Sequence, residues 1–124
     1  MYGPHRLVSD LHALGFPAAL VRGGDFEYAV IPKYEVEFGR FAGRIVDLGL
    51  PATADFPRSV GASIHVRATP QLLEYENVPN VRNIIVSPLG AEWRYWSHNF
   101  HWAGEVERSA ARLMAQVRAI FERA

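Results

Sequence analysis

The chain has 124 residues, nearly half of them apolar, with thirteen lysines and arginines balancing thirteen aspartates and glutamates. That suits a single globular domain, 1–124, able to bury a core without staples, and supplies no net field to draw in nucleic acid or an anionic membrane. The lack of any cysteine excludes disulfides, thiolate metal sites, iron–sulfur clusters and cysteine nucleophiles.

The first segment, MYGPHRLVSDLHALGF, carries no charged head before an apolar block, and no stretch nears the roughly 20 apolar residues of a membrane span. A cytoplasmic protein with no membrane partner is therefore expected. Leu7, Leu11 and Leu14 fall at i, i+4 and i+7, which predicts a short amphipathic helix over Pro4 to Leu14, stopped by Gly15 and Pro17. AALVR, a turn at Gly23-Gly24-Asp25, FEYAVI, a break at Pro32, YEVEF, a turn at Gly39-Arg40 and FAGRIVDLGL then read as an antiparallel meander. In YEVEF the alternation puts Tyr34, Val36 and Phe38 on the buried face and Glu35 and Glu37 outside. LPATADFPRSVGAS is a proline-bearing surface loop, followed by a strand around SIHV in which His65 takes the exposed face. A long irregular crossing is expected from Arg67 to about Asn83, interrupted by Pro70 and Pro79, with NIIV at 83 to 86 allowing one more short strand. The chain closes on an amphipathic helix from about Ala103 to Arg123. Its stripe is Val106, Ala110, Leu113, Val117, Ile120 and Phe121, with Glu105 and Glu107 opening it and Arg118 and Arg123 closing it.

This order, an α+β fold with an N-terminal helix, about four antiparallel strands, an irregular crossing and a late helix, resembles the ubiquitin-conjugating enzyme (UBC) superfamily. LPATADFPRSV, at 50 to 60, is similar to the family's stretch after its third strand, with Phe56-Pro57 matching and Val60 or Gly61 standing where a second proline is usual. VPNV, at 78 to 81, is similar to the His-Pro-Asn motif, keeping Asn80 and placing Val78 for the histidine. Trp102 and the tail after it resemble the tryptophan that leads into the family's next helix. WRYWSHNFHW, at 93 to 102, resembles a Trp-x-x-Trp-Ser-x-His stretch of certain prokaryotic members.

The resemblance implies a bacterial ubiquitin-like modification pathway, with a ubiquitin-like modifier and its activating enzyme as partners and no cofactor. It also sets up a conflict, because conjugating members carry the modifier as a thioester on cysteine. By spacing from Asn80 that cysteine would fall near Ser87 or Pro88. A serine hydroxyl needs a base to attack, and its ester passes to an amine far less readily than a thioester does. Ser87 is then either an introduced Cys→Ser change or the natural residue of a pseudoenzyme that binds its partners without conjugating. The Ser87-Pro88 pair reads as an ordinary strand exit, which favours the second.

The remaining candidates have two readings each. Trp93, Trp96 and Trp102 are first core packing and second the lining of a groove for an extended tail. Asn80 is a turn residue after Pro79 or, by the resemblance, a catalytic support that stabilises an oxyanion. His98 is an imidazole held in an aromatic cluster or a general base for Ser87. His101 is a binding residue or, with His98 three positions away, half of a metal site that lacks a third ligand. A His-dependent hydrolase or metal enzyme using His98 and His101 is thus the rival from another class, and a non-enzymatic interaction or immunity module is the third. No Gly-x-Ser-x-Gly elbow surrounds Ser87, and no helix follows Gly23-Gly24 to cradle a phosphate.

Overall fold

The computed structural model describes residues 1–78, 82–104 and 107–124. Pro4 at the start of α1 (Pro4–Ala13) is pre-set for a helical first turn, and Leu7 and Leu11 on its inner face are fully buried. The strands follow as β1 (Ala19–Gly23), β2 (Phe26–Glu35), β3 (Ile45–Pro51), β4 (Ser63–Arg67), β5 (Glu76–Val78), β6 (Arg82–Ser87) and β7 (Gly90–Ser97), and α2 (Ala110–Arg123) ends the chain. Among the described residues these seven strands make one antiparallel sheet, ordered β1-β2-β3-β4-β7-β6-β5. The α+β class and both terminal helices follow the sequence expectation. The sheet is larger than the expected four strands.

Of the later strands, β5 lies in the segment expected to be an irregular crossing, β6 contains the short strand expected at NIIV, and β7 runs through WRYWS beyond it. Among the described residues of the expected crossing, 68 to 75 lies outside strands; β5 pairs antiparallel with β6, β6 with β7, and β7 with β4. WRYWS hides its period because Trp93, Tyr95 and Trp96 are all aromatic. In the sheet, Trp96 faces one side with Ile64 and Ile84, while Trp93 and Tyr95 face the other with Arg67 and His65.

Pro32 does not break β2 in two. The register slips between Ile31 and Tyr34, so that Pro32 and Lys33 together oppose the single residue Asp47. A bulge is where a proline without an N–H fits a strand. Lys33 there has a φ of 54°, and its freed N–H donates to Asp47 Oδ1 at 3.2 Å. The bulge keeps Tyr34 and Val36 buried as expected, but Phe38 lies beyond the strand, 46% exposed, with the Arg118 guanidinium over its ring.

The C-terminal helix is shorter than its apolar stripe suggested. Ser109, in extended backbone, caps it by accepting the Arg112 N–H at 3.2 Å, and no acidic residue occupies the first turn. Ala110, Leu113, Val117, Ile120 and Phe121 are buried as predicted, joined by Met114. Val106 and Glu105 lie outside the described residues. Both helices cover the same side of the sheet, and their leucines, Phe121, Trp96 and Trp102 form one apolar core with Ile31, Leu48, Leu50, Ile64 and Ile84. Phe121 stacks on Tyr34 at 5.6 Å and tilts against Trp96 at 5.5 Å. Each such ring contributes about 1.5–3 kcal/mol by leaving water.

Candidate functional site: a buried serine–histidine network

The side of the sheet away from the helices carries a second buried cluster. Alternation along β4 sends Ile64 and Val66 into the apolar core and Ser63, His65 and Arg67 to the opposite face. Gly49 of β3 lies directly opposite His65, and Tyr95 of β7 flanks it on the other side. Tyr28 reaches the imidazole edge-on at 4.7 Å between ring centroids, and Tyr95 does so at 5.3 Å.

The turn between β6 and β7 roofs this cluster. A Cβ on Gly49 would sit 2.7 Å from Leu89 Cδ1 and 3.3 Å from His65 Cβ, so glycine there leaves the space that Leu89 fills. The same turn reaches β1, where a Cβ on Gly23 would meet Pro88 O at 3.1 Å and Leu89 Cδ2 at 3.2 Å. His65 is left 1% exposed and Ser87 5% exposed.

Within this enclosure every polar group of the pair is engaged. His65 Nδ1 lies 2.6 Å from Ser87 Oγ, His65 Nε2 lies 3.0 Å from Ser63 Oγ, and the Leu89 N–H donates to Ser87 Oγ at 3.0 Å. Burial lowers the His65 pKa to about 4, so the ring is neutral at pH 7, with one nitrogen donating and the other accepting. A hydroxyl 2.6 Å from an imidazole nitrogen is nucleophile–base geometry. Here it is sealed from solvent, the base is weak, and the far nitrogen meets a serine rather than a carboxylate. The nearest acid in the register, Asp47, is engaged by Arg67 at 2.8 Å, and that guanidinium also lies over Trp93. The arrangement therefore orients the β6–β7 turn and has no open position for a substrate.

The residues singled out from the sequence are spread over the molecule. Ser87 sits in this network and Trp93 on its edge, both buried. Trp96 and Trp102 belong to the opposite, helix-covered core, so the three tryptophans line no common groove. The Trp102 indole donates to the Pro57 carbonyl at 2.8 Å, tying the segment before α2 to the Phe56-Pro57 loop. His98 follows the far end of β7, its N–H bonded to Ala62 O and its ring edge-on to Phe100 at 4.9 Å. Ser87 pairs with Gly90, so His98 stands about 25 Å along the strand from it at ~3.3 Å per residue. The pairing of His98 with Ser87 as base and nucleophile is thereby overturned. His101 is exposed and held through its backbone by Gln116. His98 and His101 are not on a helix, yet they line one cavity, with Arg112 and Arg123 for neighbours and no carboxylate among the described residues. Among the described residues no group of three histidines or acids is placed to hold a metal. Asn80 lies outside the described residues.

His65 is the residue that sequence reasoning underrated. Alternation put it on the exposed face of its strand, and it is instead 1% exposed, because Leu89, Tyr28 and Ser87 close over that face from distant parts of the chain. No protein-family model, curated protein or solved structure matches the chain. Among the described residues no helix is long and apolar enough to cross a membrane.

Proposed function

We propose that this chain is a cysteine-free relative of the ubiquitin-conjugating enzymes that works by binding a ubiquitin-like modifier and its activating enzyme, without carrying the modifier itself. The observation that carries this reading is the state of Ser87, which with Pro88 marks where the resemblance puts the nucleophile. Its oxygen is held by His65 and the Leu89 N–H beneath a closed turn, so swapping oxygen for sulfur there would not create an exposed thiolate. A second support is the bond from Trp102 to Pro57, which joins two of the segments on which the resemblance rests although they are 45 residues apart in sequence.

Binding is tested with the modifier and activating enzyme of the source cell. Adding the modifier is expected to shift amide resonances between Pro88 and Trp102, with no covalent adduct in the presence of ATP and the activating enzyme. The Ser87→Cys protein is expected to stay uncharged as well. A reducible adduct on Ser87→Cys would instead make the chain a conjugating enzyme deprived of its sulfur, and the absence of any shift would remove the modifier as a partner.

A further inference from the structure

A cavity of about 280 Å3 lies beside α2, lined by His98, His101, Arg112, Gln116, Ile120 and Arg123. Arg112, Gln116 and Arg123 are spaced by four and then seven residues, which aligns them on one helix face. The opposing wall is the segment after β7, and it is pinned rather than loose. Gln116 Oε1 accepts the His101 N–H at 2.8 Å and Gln116 Nε2 donates to His101 O at 3.0 Å, while the His98 N–H bonds to Ala62 O at 2.9 Å.

Among the described residues no carboxylate lines this cavity. The ion pairs among the described residues use Arg6, Arg67 and Arg94, leaving Arg112 and Arg123 without a described acidic partner. Arg112 Nε is moreover buried with no hydrogen-bond acceptor among the described residues. A guanidinium N–H withdrawn from water and left without an acceptor asks for an explanation such as a bound ion. Two guanidiniums facing one small space exceed what a single carboxylate would neutralise. A tetrahedral dianion matches them in charge and offers several oxygens for charge-assisted bonds.

We propose that this cavity binds a phosphate monoester group, a site independent of the reading of residue 87. The probe is inorganic phosphate, titrated into the folded chain at constant ionic strength and followed by amide resonances. The shifts at His101 and Gln116 are expected to saturate with phosphate and not with acetate or chloride. Arg112→Gln and Arg123→Gln are each expected to weaken binding about tenfold or more, while Arg118→Gln, which removes the same charge from another face of α2 beside Phe38, leaves it unchanged. Shifts that never saturate, or that chloride reproduces, overturn the site. Acetate binding as tightly as phosphate overturns the ligand class, and equal weakening by Arg118→Gln reduces the effect to bulk charge. Should Arg112→Gln fail to fold, the exposed Arg123→Gln decides the outcome alone.

Discussion

The two faces of the sheet are buried by different physics. The helix side is an apolar core in which Leu7, Leu11, Trp96, Phe121 and the strand aliphatics fill space against two helices. The other side is closed only by a turn and a few rings, and at its centre lies a polar trio, Ser63, His65 and Ser87, that must be fully hydrogen-bonded to be buried at all. The first face should answer to volume and be indifferent to pH, the second the reverse.

The largest expected effect is on the apolar side. Phe121→Ala should lower stability by about 3–5 kcal/mol, read from urea denaturation at pH 7, and a loss below about 1 kcal/mol would mean that α2 is not seated on the sheet. The next concerns pH. With a folded pKa of about 4 against an ordinary 6.5, the unfolded state takes up a proton first as pH falls, so His65's contribution is intact above pH 6.5 and is lost between 6.5 and about 4. The loss is on the order of 3 kcal/mol. It should appear as a falling urea midpoint between pH 7 and 4.5 that His65→Gln flattens, while an undiminished slope in His65→Gln would assign the acid sensitivity to carboxylates instead.

Ser87→Ala tests the trio from its other end. It leaves His65 Nδ1 without its partner and should lower stability by about 1–3 kcal/mol, with a shift of the His65 ring resonances as the local signature. If the ring resonances stay in place, Ser87 and His65 are not bonded in solution. The smallest effect lies at the rim, where Asp47 and Arg67 are both partly solvated. Asp47→Asn should change stability by less than about 1 kcal/mol, and raised salt should erase the difference.

The helical elements were legible because their signals are local. Leu7 and Leu11 needed only their spacing, and the Leu113 to Phe121 stripe needed only its own; the start of α2 was misplaced because Ser109, a plain N-cap, was passed over for the acidic residues before it. Pro32 misled for a related reason, since its missing N–H is harmless at a bulge, and a bulge is defined by the partner strand. In the candidate site, Ser87 and the alternation of His65 were visible separately. Their 2.6 Å contact was not, because β7 lies between their strands and 22 residues separate them in sequence.

By itself the sequence determined the α+β class, the two terminal helices, the opening meander and the absence of thiol chemistry, all of which depend on residue type and short-range periodicity. Only the tertiary structure decided that β5 and β7 join the strand at NIIV in extending the sheet, that the tryptophans part to opposite faces, and that Ser87 is locked against His65. Those outcomes depend on which strands become neighbours and on what a turn from elsewhere in the chain comes to cover, and no window of adjacent residues contains that information.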